Sequence, residues 1–195
     1  SAILFENEYN SGDNTNIMLS IDFLMKYKNF SYVSEFLIDD FAIDQKSPPK
    51  IAYKLGLGFN GKRFPDFYIE YTRINRWTGN YFNEELRYIS NNVLIGHPLG
   101  PDSHTISLDI FNNSFEKLFT IASFSYIESG SGDIHDWPEG ISAGWNFGYN
   151  SEPFPSSPLT IEYRIDVNSK LIFSKNISVD FNINLSSLKQ NDYKF

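Results

Sequence analysis

Apolar and polar residues alternate with a period of two along most of the chain. In residues 17–27 the odd positions are apolar, and the even positions include Ser20, Asp22 and Lys26. Successive side chains of a β-strand point to opposite faces, so this pattern predicts strands with one apolar and one polar face. It predicts about nine or ten strands, at 2–9, 17–27, 29–41, 51–59, 66–73, 103–111, 117–128, 159–166, 170–174 and 177–185.

The predicted connections alternate in length. Tight turns are predicted at Asn60–Arg63, Asn112–Ser114 and Val167–Ser169, and long loops without strands at 76–102 and 129–156. Short turns at one end and long loops at the other are the layout of an outer-membrane β-barrel, although soluble sandwiches and barrels share this rhythm. We therefore predict a single all-β domain over the whole chain, with antiparallel up-and-down topology, and favour the outer-membrane barrel.

Composition narrows the classes of function. The 195 residues carry a net charge of -8 and no Cys, and they include 18 Phe and 12 Tyr. Without a basic stripe, nucleic acid is not an expected partner, and without Cys there are no disulfides or thiolate metal sites. No apolar run approaches the ~20 residues of a membrane-spanning helix. A barrel stays possible, because the polar half of each strand is hidden from lipid.

Two further features favour the membrane interpretation. Tyr27, Phe59 and Tyr71 stand near the ends of apolar rows, where barrels carry aromatic girdles. The chain ends in Tyr193-Lys-Phe195, which resembles the C-terminal signal of outer-membrane barrels. It begins at Ser1 without Met or a signal peptide, so we expect a processed protein or a piece of a longer one.

Three motifs occur in an order and spacing that resemble one family. The first is the strand–loop–strand element with Phe36–Phe41 and Ile51–Gly56. The second is Glu70-Tyr-Thr-Arg73, followed by Trp77, and the third is Gly96-His-Pro-Leu-Gly-Pro-Asp-Ser103. From about residue 14 onward the chain is similar to the capsule-assembly (Wzi-type) family of bacterial outer-membrane barrels.

This resemblance implies an outer-membrane protein that retains capsular or other surface polysaccharide, in a lectin-like way and without catalysis, metal or cofactor. The family's barrels have about eighteen strands, so the chain resembles a C-terminal half. Open strand edges are not tolerated in lipid, so another chain or a missing N-terminal half is expected to complete the barrel. Two alternatives stay open: a structural subunit of a larger outer-membrane assembly, and a secreted β-sandwich that binds or hydrolyses glycans.

The first candidate glycan-binding residues are Glu70 and Arg73. As a charged pair they could hold sugar hydroxyls or a sugar carboxylate, or they could form an ion pair that pins the following loop. A strict period of two places them on opposite faces, so either pairing requires a bulge or the strand end. Asp39 and Asp40 are also adjacent on opposite faces. We expect them to position loops through turn caps or backbone amides rather than to form a hydrolytic carboxylate pair.

The remaining candidates lie in the two long loops. His97 could contact a ligand, or Pro98 and Pro101 could simply fix the shape of its loop, with Asp102 capping the next strand. Trp77, Trp137 and Trp145 could stack on sugar rings, pack the loops, or lie at the membrane interface. Asp133, His135 and Asp136 lack further ligands at a recognised spacing, so no metal site is predicted.

Charged residues on the polar strand face are expected to line a wet lumen. The acidic members are Glu35, Glu162, Asp166 and Asp180, and the basic members that could offset them are Lys26, Lys54 and Arg164.

Overall fold

The computed structural model describes residues 18–39, 50–61, 65–80, 87, 89–90, 93–94, 97–115, 117–135, 153–175 and 177–191. The predictions for strand 2–9, Asp40, Asp136, Trp137, Trp145 and the terminal Tyr193–Phe195 fall outside these residues. The described residues are all-β. Among them, none belongs to a helix long and apolar enough to cross a membrane.

Eight strands form one antiparallel sheet, and each pairs with the strand that follows it in this sheet along the chain. They are β1 (Met18–Tyr27), β2 (Phe30–Asp39), β3 (Ile51–Phe59), β4 (Asp66–Ile74), β7 (Ser103–Phe115), β8 (Leu118–Ser129), β9 (Leu159–Ser174) and β10 (Ile177–Asn191). Two short strands, β5 (Ile89–Ser90) and β6 (Val93–Leu94), pair separately. The predicted antiparallel up-and-down topology is confirmed.

Three local predictions are wrong. Strand β7 runs through the predicted turn at 112–114, and its last residue, Phe115, pairs with Leu118 of β8. Strand β9 runs through the predicted turn at 167–169, where Asn168 pairs with Ile121 and Asn182 on its two neighbours. Asn and Ser favour turns locally, but pairing with a neighbouring strand overrides that preference. The loop 76–102 also contains β5 and β6, which we did not predict.

Long and short connections alternate along the sheet. The short ones are 28–29, 60–65, 116–117 and 175–176, and the long ones are 40–50, 75–102 and 130–158. Because neighbouring strands are antiparallel, all short connections lie at one end of the strands and all long connections lie at the other end. We call these two ends of the sheet the turn end and the loop end.

The registers sort the side chains onto two faces. One central row of paired residues reads Met25, Tyr32, Leu57, Ile69, Leu108, Phe124, Ile165 and Leu185. A row on the other side reads Lys26, Ser31, Gly58, Tyr68, Asp109, Ser123, Asp166 and Asn184. We call these sides the apolar face and the polar face. The predicted charged residues all belong to the polar face.

The apolar face of this sheet is exposed, unlike the apolar face of a water-soluble sheet. On the apolar face Phe23 is 53% exposed, Ile69 41% and Leu185 61%. The buried apolar residues Ile74 and Ile127 instead belong to the polar face at the loop end, where the long connections cover the sheet. The small core therefore lies between the loops and the polar face.

The strands end unevenly at the turn end. The polar row that joins Lys26 to Asn184 serves as the reference. Toward the turn end, β1 extends one residue beyond this row, to Tyr27, whereas β10 extends seven residues beyond it, to Ile177. The turn ends thus shift by six residues over the seven steps from β1 to β10. With ~3.3 Å per residue and ~4.8 Å between strands, the line of turns is inclined on average by roughly 30° to the pairing rows.

Tyr68 lies across two glycines of the neighbouring strand. A methyl group on Gly56 would collide with the hydroxyl and ring of Tyr68, and one on Gly58 would collide with the Ser31 hydroxyl. The Tyr68 hydroxyl donates to Glu70 Oε2 at 2.9 Å. Gly56 therefore makes room for the ring of Tyr68 over the backbone of β3, and Gly58 makes room for the Ser31 hydroxyl.

We predict that Gly56→Ala lowers the free energy of unfolding by about 1–2 kcal/mol, because Tyr68 must move and its bond to Glu70 is lost. In a Tyr68→Ala background the same change should cost clearly less. Denaturant unfolding of the double-mutant cycle measures this difference. Equal costs in both backgrounds would contradict the role of Tyr68.

Candidate functional site

Asp39 fixes the first of the long connections. It is the last residue of β2 and is fully buried. Its backbone N–H donates to the Lys50 carbonyl at 2.9 Å, which closes the 40–49 connection at its base. Its Oδ2 accepts the N–H of Gly79 at 2.7 Å, and Gly79 has a φ of 78°, in the left-handed region that glycine adopts readily. The carboxylate therefore holds the segment that follows β4.

Asp102 joins the other two long connections. It is 1% exposed and has a φ of 57°, a conformation that Asp tolerates better than most residues. Its carboxylate accepts the backbone N–H groups of Gly132 at 3.0 Å and Ser156 at 3.1 Å, and also the Ser156 hydroxyl. Its carbonyl accepts the Gly130 N–H at 2.8 Å. Both ends of the 130–158 connection are thus attached to one residue.

Further hydrogen bonds join the connections into one layer. Lys50 Nζ donates to the Asn80 carbonyl at 3.1 Å, and Asn80 Nδ2 donates to the Asp133 carbonyl at 3.3 Å. Thr78 Oγ1 donates to the Ile51 carbonyl at 3.1 Å. Parts of all three long connections therefore hold one another over the loop end of the polar face.

A cavity of about 320 Å³ lies between this layer and β1–β4. Its lining combines apolar walls with a few polar groups: Met18, Leu37, Ala52, Ile74 and Pro101 on the apolar side, and Ser20, Glu35, Lys54, Thr72, Thr78 and His97 on the polar side. We call it the loop-end cavity. Convergent polar groups within apolar walls are typical of ligand pockets.

The charged groups of the cavity are balanced. Lys54 Nζ lies 2.7 Å from Glu35 Oε1. His97 is half-buried, and burial lowers its pKa below the usual value. Its Nδ1 accepts the Leu99 N–H at 3.3 Å, so the neutral ring carries its proton on Nε2. The cavity thus offers one carboxylate, one ammonium group and a neutral imidazole.

Glu70 and Arg73 do not pair, because they lie on opposite faces. On the polar face, Glu70 accepts hydrogen bonds from the hydroxyls of Tyr68 at 2.9 Å and Thr72 at 3.4 Å. On the apolar face, Arg73 Nε donates to Asn75 Oδ1 at 3.0 Å, and its guanidinium lies 3.6 Å from the centre of the Phe154 ring. No bulge between them brings the two side chains together.

The other predicted site residues are divided by exposure. His97 lines the loop-end cavity, whereas Trp77 is 4% exposed and Asp102 is almost fully buried. The Arg76 guanidinium lies 5.0 Å from the centre of the Trp77 ring. Trp77 and Asp102 therefore belong to the layer of long connections and are too buried to contact a ligand.

Asp133 and His135 form a short turn, in which the His135 N–H donates to Asp133 Oδ1 at 3.0 Å. Within the described ranges, no three His, Cys, Asp or Glu side chains are grouped as metal ligands would be.

A polar cluster on the apolar face was missed by the sequence interpretation. His104 Nε2 lies 2.6 Å from Glu128 Oε2, and its Nδ1 lies 3.4 Å from the Tyr71 hydroxyl. The Phe154 ring packs edge-on against His104, with 5.8 Å between ring centres. One signal was available: His104 and Glu128 are polar residues on apolar-face positions, and both stand at the loop end of their strands.

We predict that Asp102→Asn lowers the free energy of unfolding by at least ~1 kcal/mol, because a charged acceptor of two amides is lost while the left-handed backbone is still tolerated. Asp102→Ala should cost more. Thermal unfolding and proteolysis of the 130–158 connection measure these effects. The exposed Asp133→Asn is the control, and a control variant as unstable as Asp102→Asn would contradict the prediction.

His97 should make stability depend on pH. Its folded pKa lies below the ~6.5 of the unfolded state, so below that pH the unfolded state binds more protons. The contribution of neutral His97 is complete above pH ~6.5 and is lost as the pH falls toward the folded pKa. We expect the stability advantage over His97→Gln to shrink between pH 7.5 and 5.5. An NMR titration midpoint at or above 6.5 for this ring would contradict the prediction.

Comparison with protein-family models, with curated proteins and with solved structures found no match for this chain. The family resemblance therefore rests on the three motifs alone. Function has to be argued from the two faces of the sheet and from the loop-end cavity.

Proposed function

We propose that this chain is part of an outer-membrane β-barrel, with its apolar face toward lipid and a binding site for surface polysaccharide at its loop end. The observation that carries the membrane part is the exposure of the apolar face on strands from β1 to β10. Phe23, Phe36, Leu57, Ile69, Ile106, Phe124, Ile165 and Phe181 are all at least 40% exposed. Contiguous apolar patches of this extent are rare on soluble monomers, whereas hydrocarbon requires them.

The inclined line of turns supports a barrel. Strands of transmembrane barrels tilt by ~35–45°, so that their turns come level at one membrane surface. The shift of six residues over the seven steps between β1 and β10 gives an inclination of roughly 30°, slightly below this range. The strands of the sheet are also long enough, since β4 has 9 residues, β1 has 10 and β9 has 16.

Aromatic pairs near both ends of the apolar face support two membrane interfaces. At the turn end the Phe59 ring lies 5.0 Å from Phe30 and 5.4 Å from Phe67, centre to centre. Toward the loop end Tyr53 and Tyr71 are 5.8 Å apart, and Tyr126 and Tyr163 are 5.2 Å apart. The polar side chains of Arg73, His104 and Glu128 stand at the loop end, where the proposal places lipid headgroups.

The polysaccharide part has two supports. The motifs that resemble the capsule-assembly family, Glu70–Trp77 and Gly96–Ser103, lie at the two ends of the 75–102 connection, which contributes His97 and Pro101 to the loop-end cavity. Long connections carry binding functions on rigid β scaffolds. The proposed protein binds and retains glycan without catalysis.

The proposal requires further strands. Within the described residues β1 and β10 are the edges of an open sheet. Unpaired backbone groups are not stable in hydrocarbon, so another chain or a further part of the same protein would complete the barrel. As a structural subunit the chain would share this architecture and lack glycan binding. A secreted sandwich would need a second sheet over the apolar face and would be soluble without detergent.

We predict that Phe124→Arg destabilises the protein in lipid vesicles by about 2–4 kcal/mol, because Phe124 lies in the central row of the apolar face. The matched control is Ser123→Arg, one position away on the polar face and paired with Asp109 and Asp166. Urea titration in vesicles compares the two. If both arginines are tolerated equally, and the protein is soluble without detergent, the membrane proposal fails.

A further inference from the structure

We propose that the loop-end cavity binds an uncharged sugar unit, whose neighbouring hydroxyls bridge the Glu35–Lys54 ion pair. This inference rests on the proposed function and deepens it, because it names one site and one class of sugar.

The size and walls of the cavity suit a sugar ring. Its volume of about 320 Å³ lies at the lower end of the range for small-molecule pockets, ~300–1,000 Å³. Met18, Leu37, Ile74 and Pro101 provide apolar surface, on which the C–H faces of a sugar can pack. The hydroxyls of Ser20 and Thr72 also line the space; they donate to Asp22 at 3.3 Å and Glu70 at 3.4 Å, and each can still accept a hydrogen bond from a ligand.

The ion pair has unused hydrogen-bonding capacity. The Glu35 side chain is 45% exposed and the Lys54 side chain is 26% exposed, so neither is enclosed by the other. A carboxylate can accept about four hydrogen bonds and an ammonium group donates three. Two adjacent sugar hydroxyls can donate to Glu35 and accept from Lys54 at the same time. Such a bridge keeps the charges paired and makes charge-assisted hydrogen bonds to the ligand.

The charge balance around the cavity selects against acidic sugars. On the same face, Glu70 adds a second carboxylate two residues from Thr72, while Lys54 is the cation of the cavity lining. Burial lowers the pKa of His97, so its ring is neutral near pH 7 and adds a donor at Nε2 but no positive charge. A uronic or sialic acid carboxylate would face net negative charge, on a chain whose total charge is -8. A neutral hexose avoids that repulsion.

The test measures binding of single sugars to the full protein in detergent micelles by ligand-observed NMR and calorimetry. The neutral probes are glucose, galactose, mannose and N-acetylglucosamine, and the acidic probes are glucuronate and galacturonate. We expect at least one neutral sugar to bind with a millimolar Kd, and the acidic counterpart to bind at least tenfold more weakly. Lys54→Met should weaken neutral-sugar binding at least tenfold. Lys26→Met, on the same face at the turn end, should leave it unchanged.

A second pair of variants guards against loss of folding. Glu35→Gln with Lys54→Met removes both charges together, and Ala52→Leu fills the cavity without changing charge; each should abolish binding of the single sugar. Preference for the acidic sugars, binding unaffected in these variants, or no sugar binding up to ~100 mM would each overturn the inference.

Retention of surface polysaccharide by cells that carry the same variants separates this inference from the proposed function. If the cavity variants retain polysaccharide as the unmodified protein does, the cavity is not the site, while the proposed function stands. If the unmodified protein neither inserts into membranes nor retains polysaccharide, the proposed function itself fails.

Discussion

The cross-strand register is the constraint on which the rest of this structure depends. A slip of one residue between any two strands would move Ile69 or Phe124 to the polar face and Glu70 or Ser125 to the apolar face. The registers of the pairings between β1 and β9 contain one irregularity, near the β7–β8 turn, and the two faces therefore stay separate across the sheet. In the described residues no layer covers this wide apolar surface, and that exposure is the main support for the membrane proposal.

The loop layer is held by a different kind of interaction. Two buried carboxylates, Asp39 and Asp102, accept backbone amides from segments far away in sequence. A buried carboxylate is costly unless hydrogen bonds satisfy it, so these contacts specify one arrangement of the loops. Gly132 permits that arrangement, because a methyl group there would lie 2.6 Å from Asp102 Cβ. The loop-end cavity therefore depends on the fixed layer of long connections as well as on the sheet.

Much of the fold could be predicted from the chain, because alternation is a local signal that repeats in every strand. Strand 51–59 agrees with its prediction at both ends. The misplaced turns at 112–114 and 167–169 have one cause: runs of Asn and Ser, whose local chemistry favours turns, lie inside strands there. Pairing with neighbours decides between the two, and pairing cannot be read from one segment.

The site was less predictable for a physical reason. The period of two correctly separated Glu70 from Arg73, yet it could not show that Asp102 reaches Gly132 and Ser156 or that Trp77 is buried, because those contacts join distant segments. The same limit hid the pairing of Glu35 with Lys54, although each was expected on the polar face. The contact between His104 and Glu128 was missed for a different reason. A polar residue on an apolar row has no evident meaning until the pairing of the strands shows which residue is beside it.

Because both ends of the 130–158 connection are attached to Asp102, closing the base of the loop does not depend on the residues in its middle. Its base is closed by the bonds of Gly130, Gly132 and Ser156, so the span between those residues does not have to organise its own ends. The entropic cost of closing a longer loop rises slowly, by about 0.6 kcal/mol for each doubling of length. The sequence and length of that span can therefore vary at little cost while the sheet beneath it stays the same.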